Sequence, residues 1–220
     1  PVGFQTRTYK LVFDYPNIGR SYLNTILYTV VGTAVNLVMT ILGAYPISRR
    51  DLPGRKGITF FFAFTMLFGG GLIPTYLVMT KLGLYNNIWA IIIPGAVNIW
   101  NIILCHTYFR SIPEDMREAA KIDGANKWQT LWKVTMPLSI PGIVSGITMV
   151  FMPSVTTFFI PRVLGGGNTM MFGDLIEAKF LTEGNWNVGS ALSLIMMVLI
   201  LISLSILRKA DPNGEGGGIA

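Results

Sequence analysis

Very few side chains in this 220-residue sequence could do covalent chemistry on their own. It holds one histidine, His106, and one cysteine, Cys105, both inside an apolar run. A single His and a single Cys cannot build the ligand clusters that hold zinc. A Ser–His–Asp arrangement would have to route through His106, which reads instead as a packed or interfacial side chain. The Gly165, Gly166, Gly167, Asn168 run is a turn signal. It lacks the Lys-Ser/Thr that a phosphate-cradling loop requires. The expectation is a chain with no catalytic residue, no metal and no cofactor of its own. Any energy source must then be a partner.

Charge gathers in residues 110–137, between two apolar runs. Ser111, Ile112, Pro113 and Glu114 fit a capping box with proline near the helix start. Glu114, Asp115 and Glu118 fall in early turns, where the helix dipole favours acids. Gly124 is a natural stop just past a helix end. Asn126 can cap a second helix, with Gln129 three residues on. Trp128, Leu131 and Trp132 stand at i, i+3 and i+4 and predict one apolar face. Pro137 and Pro141 follow as the next apolar run begins. The spacing predicts two short helices at an angle, a projecting elbow. Two roles fit it: an amphipathic pair lying on a membrane, or a docking element for a soluble partner.

The elements around this elbow are those of a membrane protein. The chain is 51% hydrophobic and 13% charged, against about 25% charged in soluble domains. A net charge of +6 could suggest nucleic acid, but the charges sit in short clusters rather than on a basic, aromatic-laced surface. Nucleic acid is therefore excluded as a partner and the lipid bilayer is expected. Spanning a bilayer takes about 20 mostly apolar residues. Five segments qualify: 22–48, 57–80, 88–109, 134–160 and 188–207. None contains Asp, Glu, Lys or Arg. The loop after the first span, the central 110–137 loop and the tail alternate onto one side and carry 11 of the 17 basic residues. The bias puts that side in the cytoplasm. Segment 1–21 is then external, and an outside start implies an upstream spanning helix. The Gly-rich tail 208–220 reads as a disordered cytoplasmic end.

Pro74, Pro141, Pro153 and the Gly69, Gly70, Gly71 run interrupt the second and fourth spans. Such breaks need neighbours or a lined cavity to satisfy the freed backbone groups. Asn36, Asn98, Asn101, Thr148, Thr156 and Thr157 add polarity inside spans. They fit either helix–helix hydrogen bonding or a substrate path. The spans lack carboxylates, which argues against a proton relay. Asp174, Glu177 and Glu183 lie in the long external connection, as a solvated face or as contacts for an external binding protein.

Resemblance separates the two roles of the elbow. Glu118, Ala119, Ala120, then Gly124, then Val134, Met136 and Pro137, follow the spacing of the EAA loop of ATP-binding-cassette (ABC) importer permeases. Val134 stands where that pattern has Ile, and Met136 where it has Leu. The resemblance implies an all-α polytopic fold of the six-helix type with its first helix absent. It makes Glu118, Ala119, Ala120, Asp123, Gly124, Val134 and Pro137 the loop that couples to an ATPase. Implied partners are ABC ATPase subunits that hold ATP and Mg, a second permease chain, and an extracellular or periplasmic substrate-binding protein, at a bacterial plasma membrane. Residues 9–124 resemble carbohydrate permeases, as in YLNTILYTVVGTAVNLVMTILGAYPISRRDLPGR. Residues 125–207 resemble spermidine/putrescine permeases, as in PGIVSGITMVFMPSVTTFFIPRVLGGGNTMMFGDLIE. A polyamine cation wants carboxylates or aromatic faces, whereas Asn98 and Asn101 suit hydroxyls. The expectation is a sugar or oligosaccharide importer subunit working by alternating access. The alternatives are a spermidine/putrescine permease and a non-transporting membrane scaffold or fragment.

Overall fold

The computed structural model describes residues 7–14, 18–156, 159–165 and 170–210, with the main chain alone at 7, 11, 13, 145, 152, 155, 156, 159 and 207–210. Helices make up its regular structure, and no strand occurs among the described residues. Thr157 and the tail from 211 lie outside the described residues, as do 1–6 and 15–17 of the N-terminal segment.

Helix α1 (Arg7–Phe13) leads into α2 (Ile18–Ser48), whose 31 residues form the longest element. At 1.5 Å per residue α2 is roughly 45 Å long, enough to cross a hydrocarbon layer of about 30 Å. Its amphipathicity is inverted. Ser21, Thr25, Thr29, Thr33, Asn36 and Thr40 are buried, while Leu23, Leu27, Val30, Val38 and Leu42 are exposed. In water that arrangement would waste the hydrophobic effect. In lipid it is the economical one, because small polar residues let helices approach and bond.

The expected span at 57–80 is not one helix. It is α3 (Arg55–Met66) and α4 (Leu72–Lys81), separated by residues 67–71. Gly71 has φ 80, a left-handed conformation that interrupts the helix and that glycine adopts without strain. Next come α5 (Ile88–Gly95) and α6 (Ile99–Ser111), which together pass the length and hydropathy test for one broken span. The elbow holds α7 (Glu114–Ile122) and α8 (Lys127–Thr130). A π-helical turn over Leu131–Thr135 runs on into α9 (Met136–Leu138). Helix α10 (Ile140–Thr156) follows a bend of more than 40°, so the expected span at 134–160 starts earlier and is broken. Short helices α11 (Phe159–Leu164) and α12 (Phe172–Glu177) precede a second π-helical turn at Ala178–Thr182. Helix α13 (Trp186–Ala210) is the second unbroken element long and apolar enough to span.

The contacts divide the chain into two units. One comprises 1–33, 70–95 and 150–206. Its larger core joins Val12, Phe172, Leu175, Ala191, Leu192 and Met196, and a smaller one joins Met79, Ala90 and Leu164. Gly189 has no room for a side chain there, since a Cβ would sit 2.9 Å from the Phe180 ring. The other unit comprises 34–69, 96–149 and 207–220. Ile41, Ala44, Ile47, Ile102, Phe109 and Ile112 form its core. The elbow belongs to this unit.

Candidate functional site

The elbow starts where α6 ends. Ser111 is the last residue of α6, and its hydroxyl donates back to the Tyr108 carbonyl at 2.7 Å. The expected capping box does not form, because Ser111 is still part of α6 when the next helix begins at Glu114. Pro113 holds the N-cap position of α7 instead, with no side-chain cap bond. The first-turn acids Glu114 and Asp115 are left to complement the free N–H groups.

Arg117 then turns inward. It is 3% exposed on a helix whose other residues are exposed or half-buried. Its Nη2 donates to the main-chain carbonyl of Phe109, which is completely buried at the end of α6. The Phe109 ring meets Tyr45 edge-on, with centroids 6.1 Å apart. Tyr45 in turn donates its hydroxyl to the Lys127 carbonyl at 3.4 Å. Arg50 approaches Glu114 at 3.6 Å. Both arms of the elbow are thus tied to the C-terminal ends of α2 and α6. Burial holds the Arg117 guanidinium below its ordinary range, and the neighbouring Arg49 charge pushes the same way.

Helix α7 ends as the glycine predicts. Gly124 has φ 81. Its N–H donates to the Lys121 carbonyl at 3.0 Å, and the Ala125 N–H to the Ala120 carbonyl at 2.9 Å. That pair of bonds is a Schellman stop. The Asn126 N–H donates to Gln129 Oε1 at 2.8 Å, so the second helix starts at the residue expected. Glu118, Ala119, Asp123, Gly124 and Pro137 are exposed, while Ala120 and Val134 are half-buried. The expected apolar face of Trp128, Leu131 and Trp132 is split. Leu131 is buried, and the two tryptophans are exposed with rings 6.4 Å apart. The π-helical turn that begins at Leu131 winds more residues per turn, which shifts the facing of the side chains.

The elbow geometry sits within a longer match. A family model described as "Binding-protein-dependent transport system inner membrane component" covers residues 57–213. The chain belongs to that family. One relative, the polygalacturonan/rhamnogalacturonan transport system permease protein YtcP of Bacillus subtilis, is 44% identical over 143 residues, 65% of this chain and 50% of the relative. The spermidine/putrescine transport system permease protein PotB of Haemophilus influenzae is 28% identical over 149 residues, 67% of this chain and 50% of that protein. The chain thus spans about half the length of these curated relatives. A solved bacterial ABC transporter that imports the acidic polysaccharide alginate matches with a TM-score of 0.87 and 32% identity, over 95% of this chain and 80% of the solved one. The chain is a membrane component with the all-α permease fold.

In this inner membrane component the three asparagines of the expected path bond within the chain, while the Ser21, Thr29 and Thr33 hydroxyls have no hydrogen-bond partner among the described residues. Asn101 Nδ2 donates to Asn36 Oδ1 at 3.3 Å, and the Thr40 hydroxyl reaches the same oxygen at 3.4 Å. Asn98 is the N-cap of α6, its Oδ1 accepting from the Asn101 N–H. Thr148 donates to the Val144 carbonyl of its own helix. Thr156 has only its main chain described, and Thr157 lies outside the described residues.

The acids Asp174, Glu177 and Glu183 are also engaged. Asp174 is 9% exposed, and its Oδ2 accepts from the Met171 N–H at 2.9 Å, closing the start of α12. Burial pushes its carboxyl up to about 6. Glu177 pairs with Arg162, and Glu183 with the buried Lys179. Glu183 keeps the most exposed side chain of the three. Sequence reasoning passed over Ser21, Thr25, Thr29 and Thr33, although their four-residue spacing is the signal of one helix face. Thr25 accepts from the Phe172 N–H at 2.8 Å and so docks α12 onto α2.

Proposed function

We infer that the chain is the membrane-spanning subunit of an ABC importer that moves a sugar or oligosaccharide by alternating access. The observation that carries the reading is the tethered elbow. It exposes Glu118, Ala119, Asp123 and Gly124 while Arg117 and Tyr45 fix its base to α6 and α2. A rigid projection of this kind transmits a push from a soluble partner, whereas a helix lying on lipid needs no such stop or tether. The partner is an ATPase pair that holds ATP and Mg and does the hydrolysis. The elbow and the C-terminus face it in the cytoplasm, a second permease chain completes the path, and an external binding protein delivers the substrate.

The sugar reading is supported by the polygalacturonan/rhamnogalacturonan permease relative and the alginate importer. A polyamine reading keeps the support of the spermidine/putrescine relative. It has less from the side chains, because Asp174 is buried and Glu177 and Glu183 are paired within the chain. The discriminating experiment reconstitutes the complete transporter in vesicles and compares ATP-driven uptake of a labelled oligosaccharide with that of labelled spermidine. Oligosaccharide uptake abolished by Glu118→Lys is the expected result. Spermidine uptake alone would move the chain to the polyamine class, and ATPase association without uptake of either would leave a scaffold.

A further inference from the structure

A second feature of the elbow faces away from its tip. The C-terminal ends of α2 and α6 and the start of α7 enclose a polar cavity of about 200 Å³. That is several times the roughly 30 Å³ a water molecule occupies in the liquid. Arg50, Arg110 and Arg117 line it, with Ser48, Ser111 and one carboxylate, Glu114. Three guanidinium groups against one carboxylate leave an excess of two positive charges. Glu114 offsets part of this, through Arg50 at 3.6 Å, whose side chain is largely exposed, and through its charge on Arg117.

Arginines near helix C-termini often do no more than neutralise the last carbonyls. Arg117 does this with one nitrogen, which bonds Phe109. Its Nε–H is fully buried and has no acceptor among the described residues. A buried charged donor without an acceptor is destabilising and marks a place for one. Arg110 has no ion-pair partner among the described residues either. The nine-residue helix α7 also opens at this cavity; its N-cap, Pro113, makes no side-chain cap bond, and only the first-turn acids Glu114 and Asp115 complement its free N–H groups. Helix N-termini of this kind favour anions. Arginine forks match the oxygen geometry of phosphate.

We propose that this cavity is a binding site for a phosphate group, held by Arg50, Arg110 and the buried Arg117 at the base of the elbow. The phosphate is that of an anionic lipid headgroup or a free phosphate, and both present the same oxygens. Because the cavity lies where two apolar helices end, an occupant would set the footing from which the elbow projects. The proposal rests on membership of the membrane-component family and not on the identity of the transported substrate.

The test uses the complete transporter, purified in detergent, as parent and as the Arg50→Gln/Arg110→Gln variant. Both changes are at accessible positions and leave the Arg117–Phe109 tether intact. One arm follows bound phosphatidylglycerol against phosphatidylcholine by native mass spectrometry. The other follows the thermal shift caused by inorganic phosphate. Retention of phosphatidylglycerol by the parent, weakened about tenfold or more in the variant, identifies a lipid site. A phosphate-dependent shift lost in the variant, with no lipid preference, identifies a soluble phosphate site. Equal behaviour of parent and variant in both arms overturns the proposal. An Arg117→Lys variant checks the buried member separately. It keeps the charge but loses the fork, so weaker binding without loss of folding is expected.

Discussion

The guanidinium of Arg117 bonds the main-chain carbonyl of Phe109, 8 residues earlier and in the helix before its own. A charged side chain thereby fixes the angle at which α7 leaves α6. It does so from the one position of α7 that is buried. Buried hydrogen bonds to charged groups are worth about 1.5–3 kcal/mol. Arg117→Met is expected to destabilise the assembled protein by about 2 kcal/mol and to weaken ATPase coupling together with it. Thermal unfolding and uptake measured on one preparation check this, and a variant that loses neither would remove the tether from the account.

Gly124 is held at φ 81 by two main-chain bonds that close α7. A left-handed residue with a Cβ costs roughly 1–2 kcal/mol, and asparagine is the side chain best able to tolerate the position. The expected order of co-purification with the ATPase is therefore Gly124, then Gly124→Asn, then Gly124→Ala, then Gly124→Val. An order that followed side-chain charge or size alone would point to direct contact with the partner rather than to the helix stop.

Asn36 accepts from both Asn101 and Thr40, so removing it strands two donors on a buried face. Interhelical bonds of this type average about 0.6 kcal/mol in membrane proteins, with a maximum of about 1.7. Asn36→Ala should cost more than Asn101→Ala, and the double variant less than the sum of the two. Additive losses in a double-mutant cycle would mean that the pair does not act as a unit.

Asp174 offers a test by pH. Its carboxyl is pushed up to about 6, chiefly by burial. In an unfolded chain it would titrate near the usual value of about 3.9. Between those values the folded state binds more protons than the unfolded one. Its contribution to stability is therefore greatest at low pH, falls as pH rises from about 4 to 6, and levels off above. Asp174→Asn retains an oxygen for the Met171 N–H and removes the titration. Melting temperatures across that window should slope for the parent and flatten for the variant, and parallel curves would reassign the proton.

How much of this was readable beforehand depended on whether a residue's role is local. Gly124, Asn126 and Gln129 act through main-chain groups within a few positions, and spacing alone placed them. Ser111 carried the same kind of signal, but α6 runs on to include it, and Pro113 takes the N-cap position. Burial of Arg117 was not readable, because a basic residue among acids in a short helix has the pattern of a solvated face. Its partner is a carbonyl, and carbonyls have no sequence signature. The break between α3 and α4 was visible as three glycines, but glycines inside an apolar run mark a kink as readily as a stop. Leu131 parted from its two tryptophans because a π-helical turn changes the period on which the face was counted.

The inverted face of α2 bears on how the protein comes to be assembled. The Thr25 hydroxyl bonds the Ser21 carbonyl, and the Thr40 hydroxyl bonds Asn36, both within the same helix. The helix thus partly shelters its own polar stripe, while its leucines and valines already match lipid. It can enter the bilayer as a finished rod before α12 is made to dock on it. The same threonine that waits on itself then takes the Phe172 N–H when α12, made nearly 150 residues later, comes to dock. A stripe that partly bonds within its own helix lets insertion of α2 and docking of α12 be separate steps.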